Sequence, residues 1–273
     1  MDKILSLSLI FILISACGCS SSKELGAKPL PSSSDVYESV QYDYIVAADK
    51  INMAPFTTDC DVNNLEGLNF DIIRAIGKDQ GISFEIQPLN VFDGLESLKV
   101  GLCDAIIYNY DISDEDKNAF LSSESYFTDG YVFSTSYENN EDFDFNRMKG
   151  KTVGVYMKGS ENKPAKIYAE EYEFEIKTYS DRSKLYDDVK NGVLDFMIYK
   201  YSLMSQMIKE NGGVKIVGDK LFEKDYYIYV MPGKNEILLD KINLGIENIK
   251  ENGEYERILS KYISDGRVLD EAE

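Results

Sequence analysis

The side chains that most often perform acid–base or nucleophilic chemistry are unevenly represented in this chain. None of the 273 residues is histidine, which excludes Ser-His-Asp and Cys-His nucleophile systems, HExxH zinc sites and histidine phosphorelays. Carboxylates are abundant instead: Asp and Glu number 48 against 29 Lys and Arg, a formal net charge of −19. This charge repels nucleic-acid phosphates and anionic lipid headgroups, so nucleic-acid binding is not expected.

One cysteine stands in a context that indicates export and lipid modification. A mostly apolar run from Ile4 to Ile14 is too short to span a bilayer and fits the hydrophobic part of a secretory signal peptide. The quartet Ile14-Ser15-Ala16-Cys17 then resembles a bacterial lipobox, in which cleavage precedes the cysteine and its thiol is diacylated. We therefore predict a signal peptide over 1–16 and an extracytoplasmic protein anchored to the cell membrane through Cys17. One alternative is an ordinary signal peptide with an incidental cysteine, and Cys19 is a second candidate for the modified residue that fits the pattern less well.

Two later cysteines, Cys60 and Cys103, allow either a disulfide or two free thiols. Export favours a disulfide. Cys103 lies just before a predicted buried strand, where a thiol often serves as a small apolar side chain, and this favours two free cysteines. The sequence alone leaves both states open.

The elements that must position any site alternate between two patterns. Apolar strand-like runs and helical patterns follow one another from Tyr42 onward, which predicts an α/β fold with largely parallel strands. The strand-like runs cover 44–48, 83–87 and 105–108, and the helical patterns cover 71–78 and 93–100. The segment Leu98–Asp104, which joins a helix end to a buried strand, returns as Val189–Asp195. This repetition indicates two lobes of similar build.

Several short phrases follow one another in a characteristic order. They are Ala54-Pro55-Phe56, Asn69-Phe70-Asp71, the run from Asn109 to Glu115, the run from Met148 to Val155 with Gly159-Ser160 after it, and Asn252-Gly253-Glu254-Tyr255. In this order they resemble the extracytoplasmic solute-binding proteins of polar amino acid ABC importers. The resemblance implies a two-lobed type II periplasmic-binding fold, and together with the lipobox-like quartet it implies a bacterial lipoprotein.

The resemblance implies two lobes joined by two hinge crossings, with a solute cleft between the lobes. The implied division is a tether over 17–41, lobe 1 over 42–132 and 231–265, lobe 2 over 133–230, a tail over 266–273, and crossings near Tyr131–Phe133 and Tyr226–Val230. The implied function is capture of a small polar solute, an amino acid or related amine, by cleft closure, followed by delivery to ABC permease subunits. A monomer with no catalytic residues, cofactor or metal is expected.

The ligand-binding positions that the resemblance implies depart from the family pattern. The family's arginine, which clamps the ligand's α-carboxylate, aligns with Asp116, and its aspartate for the α-ammonium group aligns with Lys200. The two expected charges are therefore exchanged in sign. A Ser or Thr that bonds the ammonium group aligns with Asp111, and the aromatic residue before the Pro-Phe pair aligns with Met53.

Four further positions complete the expected site. Phe56 is expected to pack behind the cleft, and Phe92, or its neighbour Val91, to stack on the ligand. Asn109 directly follows a buried strand and opens one of the family phrases. Ser160 precedes a helix whose N-terminal N–H groups and positive dipole end would face an anionic group.

The exchanged charges allow three interpretations. Asp111 and Asp116 could hold the cationic end of a zwitterion while Lys200 takes its carboxylate, which reverses the usual orientation. An acidic cleft could instead suit an amine, another small cation or a peptide end. As a third possibility, Asp116 and Lys200 meet as a salt bridge or point to solvent. Lys117 could also restore the clamp through a shift of one residue.

Two other classes of function are compatible with the same resemblance. A dehydratase-like enzyme would use Asp111 and Asp116 as a pair of acids whose pKa values differ. A ligand sensor or surface antigen would keep the fold without import. A neighbouring permease and ATPase would favour the importer, whereas a signalling partner would favour the sensor.

Overall fold

A computed structural model describes residues 41–51, 53–61, 63–110, 112–264 and 266. The predicted signal peptide, Cys17 and nearly all of the predicted tether lie outside the described residues, and so does Asp111. Within the described residues, no helix is both long and apolar enough to cross a membrane.

Strands and helices alternate along most of the chain. In chain order they are β1 (Tyr44–Asp49), β2 (Asp59–Asp61), β3 (Asn64–Glu66), α1 (Leu68–Gln80), β4 (Phe84–Leu89), α2 (Val91–Val100), β5 (Ala105–Ile107), α3 (Asp114–Ala119), β6 (Leu121–Ser122), β7 (Phe127–Ser136), β8 (Thr152–Tyr156), α4 (Asn162–Tyr172), β9 (Glu175–Tyr179), α5 (Arg182–Lys190), β10 (Phe196–Lys200), α6 (Tyr201–Asn211), β11 (Val214–Tyr226), β12 (Ile228–Val230), α7 (Glu236–Glu251) and α8 (Glu254–Tyr262). The predicted α/β class is confirmed.

The first five-stranded sheet has the order β4-β1-β5-β12-β6. β1 pairs in parallel with β4 and β5, whereas β12 pairs antiparallel to β5 and β6. On one face, the apolar residues of α1, α7 and α8 form a buried core with the strands; Ile72, Ile76, Ile242 and Ile258 are among them. Their helical spacing in the sequence is what allows each helix to bury one face.

The second five-stranded sheet has the order β11-β7-β10-β8-β9. β8, β9 and β10 are parallel, and β7 runs antiparallel to both β10 and β11. Phe133 on β7 anchors one core, where several aromatic rings surround it at centroid distances of 5.6 to 6.5 Å. The two sheets account for the repeated segment that the sequence shows.

Within the part of the chain that the structure describes, the backbone passes between the two five-stranded sheets twice. It leaves the first sheet after Ser122, enters the second at Phe127, and returns between Tyr226 and Ile228. β7 and β11 pair from Phe127 opposite Tyr226 onward, so residues 127–132 hydrogen-bond within the second sheet and residues 228–230 within the first. The chain therefore changes sheets a few residues before the predicted lobe boundaries, which follow residues 132 and 230. An apolar run in a sequence does not reveal which sheet it will join.

The carboxyl ends of the parallel strands define two edges where a site can form. In the first sheet β1, β4 and β5 end at Asp49, Leu89 and Ile107, and in the second β8, β9 and β10 end at Tyr156, Tyr179 and Lys200. Ligands of open α/β sheets bind outside such carboxyl ends. We call these the first and second carboxyl edges.

Cys60 and Cys103 are both free thiols. Cys103 is buried, and burial raises the pKa of its thiol to about 11. It therefore behaves as a small apolar side chain at neutral pH.

Candidate functional site

Met53 and Phe56 lie on a turn that is tied to the first carboxyl edge. The N–H of Phe56 donates to the Met53 carbonyl at 3.0 Å, and the Thr57 hydroxyl donates to the carbonyl of Asp49 at 3.2 Å. Met53 is exposed, whereas Phe56 is buried and packs edge-on against the rings of Phe127 and Tyr226 at 5.2 and 5.5 Å. Phe56 thus packs in the core beside the two segments where the chain changes sheets. The exposed Met53 side chain can contact a solute.

Phe92 and Tyr110 present aromatic rings at the same edge. Phe92 lies in the first turn of α2, whose N-cap Asn90 accepts a hydrogen bond from the N–H of Asp93 at 2.9 Å. Phe92 is 71% exposed and Tyr110 is 59% exposed. Exposed rings of this size could stack on a bound solute.

Asn109 has an unusual environment just beyond β5. The residue is 5% exposed, and its Oδ1 atom is buried without a hydrogen-bond partner in the described part of the chain. A buried carbonyl oxygen without a donor carries a desolvation penalty. A ligand N–H group could satisfy it.

The Asp116 carboxylate is paired with neighbouring residues on the same side of the molecule as the first sheet. The Ser113 hydroxyl donates to its Oδ2 atom at 2.7 Å, and the Lys99 ammonium group lies 3.0 Å from Oδ1. The Ser113 hydroxyl and the Lys99 charge hold the pKa of Asp116 below its ordinary value. The carboxylate therefore joins α3 to α2.

Lys200 belongs to a network at the crossing strands. Its ammonium group lies 3.2 Å from Oδ2 of Asp129 and donates to the Tyr226 hydroxyl at 2.8 Å. Asp129, 1% exposed in its side chain, also accepts hydrogen bonds from the Ser202 N–H at 3.0 Å and the Ser202 hydroxyl at 2.8 Å. Burial acts to lower the pKa of Lys200, but the Asp129 charge and Tyr226 outweigh it and raise the pKa. We call Asp129, Lys200, Ser202 and Tyr226 the hinge network.

The salt bridge between Asp116 and Lys200, one of the predicted alternatives, is therefore wrong. Asp116 pairs with Lys99, and Lys200 pairs with Asp129. Each exchanged charge is neutralised beside its own sheet. Residue spacing does not predict these two partners, because they are distant along the chain.

The loop after β8 forms the second carboxyl edge around Ser160. Ser160 is exposed, and the Asn162 amide fixes the loop by donating to the carbonyls of Tyr156 and Gly159 at 2.7 Å each. Met157 is exposed and its N–H donates to the Tyr179 carbonyl at 2.8 Å. Ser160 thus lies at the second carboxyl edge, two residues before α4 begins.

Two buried carboxyl groups, which the sequence analysis did not single out, lie at the two edges. Asp49 ends β1, and Glu161 precedes α4; they are 1% and 2% exposed. Burial raises the pKa of both groups, although the Ile51 N–H opposes this at Asp49. Neither forms an ion pair within the described residues. Glu161 could have been found from the sequence, because it directly follows Gly159-Ser160, a phrase already linked to the site.

A cavity of about 270 Å³ lies between the end of β5 and the second crossing. Its lining includes Tyr108, Tyr110 and Lys117 from the first half and Tyr226 and Tyr227 from the crossing. The volume is close to the lower end of the range for small-molecule sites, about 300 Å³. Lys117, which the sequence analysis offered as a substitute clamp, is thus at a cavity wall.

Comparisons with known proteins show which proteins this chain is similar to. The family model of bacterial extracellular solute-binding proteins, family 3, matches residues 45–265. The arginine-binding periplasmic protein of Mannheimia haemolytica is 30% identical over 216 residues, covering 77% of this chain and 86% of the relative. The glutamine-binding protein GlnH of Bacillus subtilis is 25% identical, covering 97% and 98% of the two chains.

A solved structure extends the likeness to three dimensions. Substrate binding domain 2 of Lactococcus lactis GlnP, in an open conformation, is 25% identical, with a TM-score of 0.69 and coverage of 81% of this chain and 94% of that domain. The expectation drawn from the ordered phrases is confirmed. The chain belongs to the bacterial extracellular solute-binding proteins of family 3.

Proposed function

We propose that this protein binds an amino acid between its two carboxyl edges and delivers it, as a monomer, to the permease of an ABC importer. The observation that carries the proposal is the buried, unpartnered Oδ1 of Asn109 at an edge lined by exposed apolar side chains. Relatives named for arginine, glutamine and histidine support amino acids as the class of solute.

The proposed orientation places the solute's ammonium group against the first carboxyl edge. The oxygen of Asn109 can accept a hydrogen bond from it, and Asp111 remains a proposed anionic contact. Asp116 and Lys200 already have charged partners, so we assign them no direct role in holding the zwitterion. Ser160 remains a proposed contact for the anionic end.

Closure of the cleft supplies the remaining affinity in this proposal. Met53, Phe92 and Tyr110 are exposed at the first edge and Met157 at the second. Bringing the edges together around a solute removes apolar surface from water, at about 25 cal/mol per Å². Contacts made only in the closed state favour that state when solute binds.

A thermal-shift screen of the mature protein tests the proposal. Amino acids, polyamines and short peptides are tested separately, and a ligand at one hundred times its Kd should stabilise the protein by about 2.7 kcal/mol. We expect an L-amino acid to give the largest shift. Stabilisation by polyamines or peptides alone would contradict the amino-acid assignment and favour the cationic-ligand interpretation.

An enzyme-like alternative has weaker support. Of the two acids it would use, Asp116 is held by Lys99 and Ser113 in the contact between α2 and α3. A general acid or base needs access to its substrate. Solute binding is therefore the function that we propose.

We further propose that the protein is a lipoprotein anchored through Cys17 to the outer face of the cell membrane. The lipobox-like quartet supports this, and so does the Ser-rich segment that follows it. Cys17→Ala should move the protein from the membrane fraction to the soluble fraction, because the acylated thiol is removed. Cys60→Ala serves as the control and should leave fractionation unchanged. Retention of the Cys17 variant in the membrane fraction would contradict the anchor.

A further inference from the structure

We propose that Arg182 binds the solute's carboxylate from the second carboxyl edge. This inference rests on the proposed function and supplies its anionic end. The resemblance places a guanidinium group beside the first sheet, where this chain has Asp116. The structure instead offers a guanidinium group beside the second sheet.

Arg182 lies where the loop after β8 meets the end of β9. It is the first residue of α5, whose N-cap Asp181 accepts hydrogen bonds from the N–H groups of Ser183 and Lys184. The hydrogen bond from the Met157 N–H to the Tyr179 carbonyl joins this corner to the loop that carries Ser160. Arg182 is therefore attached to the same edge as Ser160.

The guanidinium group is oriented by an aromatic ring. Its central carbon lies 4.6 Å from the centroid of the Tyr156 ring. Stacking of this kind restrains a planar guanidinium group, and its N–H groups stay available at the edges. A carboxylate can then accept two parallel hydrogen bonds.

Arg182 also differs from the other described arginines in its charge partners. Arg74, Arg147 and Arg257 each lie within 4.0 Å of a carboxylate on their own helical segment. No such ion pair is formed by Arg182 among the residues that the structure describes. A guanidinium group with no carboxylate within 4.0 Å among the described residues keeps N–H groups that can bind a carboxylate supplied by the solute.

A buried carboxyl group and an exposed hydroxyl group also lie at this corner. Glu161 is buried, and burial raises its pKa, an effect that Arg182 partly opposes; burial raises the pKa of Tyr199 to about 12. Ser160 adds an exposed hydroxyl. With the Asn109 oxygen at the opposite edge, this arrangement fits a zwitterion whose polarity is reversed relative to the family pattern.

The test compares amino acids with their carboxamides, which lack the negative charge. Dissociation constants of L-arginine, L-glutamine and L-histidine, and of their three carboxamides, are measured by calorimetry on the parent, Arg182→Gln and Arg147→Gln proteins. Arg147 is the matched control, because it is an exposed arginine beside the second sheet that pairs with Asp144. Unfolding curves of each variant establish that it is folded.

We expect the parent to bind at least one acid about tenfold or more tightly than its carboxamide, a difference equivalent to about 1.4 kcal/mol. Arg182→Gln should raise the dissociation constant of that acid by a similar factor and leave that of the carboxamide unchanged. Arg147→Gln should bind both compounds as the parent does. Equal weakening of acid and carboxamide would mean that Arg182 only supports Glu161 or Tyr156. An unchanged acid affinity in Arg182→Gln would also overturn the inference while leaving the proposed function intact. Failure of these three acids, and of every other amino acid in the thermal-shift screen, to bind the parent would contradict both.

Discussion

Asp129→Asn should lower the free energy of unfolding by about 3 kcal/mol, because it leaves the Lys200 ammonium group without its counter-charge. Removing one partner of a buried ion pair costs about 3 to 5 kcal/mol. The low end applies here because the Lys200 side chain is 27% exposed. Urea unfolding of the variant and the parent at neutral pH measures the difference.

The reverse variant and a surface pair provide the controls. Lys200→Met leaves the almost fully buried Asp129 unpaired, so it should cost as much or more. Lys149→Ala breaks the exposed pair with Glu173, whose atoms are only 2.6 Å apart, and should cost at most about 1 kcal/mol. Equal, small losses in all three variants would show that the hinge network has no particular energetic role.

The pH dependence of this stabilisation follows from the direction of the Lys200 pKa shift. The folded-state pKa is raised above the ordinary value of 10.5. The stabilisation is therefore fully present below that value and is lost as the pH rises through the folded-state pKa. Across neutral pH it should remain constant.

Asn109→Ala should weaken the binding of the amino acid found in the screen by roughly 5- to 150-fold, the equivalent of about 1 to 3 kcal/mol for a lost hydrogen bond. The free energy of unfolding without solute should stay the same or rise, because the Oδ1 atom has no partner within the described residues. Calorimetric titration and urea unfolding measure the two quantities.

Asn235→Ala is the control with the opposite expectation. The Asn235 amide donates to the Asp104 carbonyl at 3.0 Å, near the opposite end of β5. Its loss should reduce stability and leave affinity unchanged. If Asn109→Ala lost stability and kept its affinity, the Asn109 side chain would be structural and the proposed contact would be wrong.

The sequence was sufficient for the fold because local patterns and the order of short phrases carry it. The repeated helix–glycine–strand segment indicated two lobes of similar build, and the structure has two five-stranded sheets. The sequence did not predict the ion-pair partners of Asp116 and Lys200. Asp129 meets Lys200 because β7 pairs with β10, and Lys99 meets Asp116 because the fold brings the two side chains within 3.0 Å of each other.

Arg182 and Glu161 illustrate the same limit at the site. Arg182 follows a helix N-cap and would ordinarily be taken for a solvated charge. Its position over Tyr156 depends on the parallel pairing of β8 with β9. Such contacts across strands arise from the fold, so residue types and spacing along the chain do not reveal them.

Small-angle scattering of the mature protein, with and without a saturating amino acid identified by the screen, tests the central claim most directly. Capture by closure predicts a smaller radius of gyration with solute and an unchanged far-ultraviolet circular dichroism spectrum, because the two sheets move as units. A carboxamide or amino acid that gives no thermal shift serves as the negative control. Superimposable scattering curves, under conditions where calorimetry shows full occupancy, would contradict capture by a closing cleft.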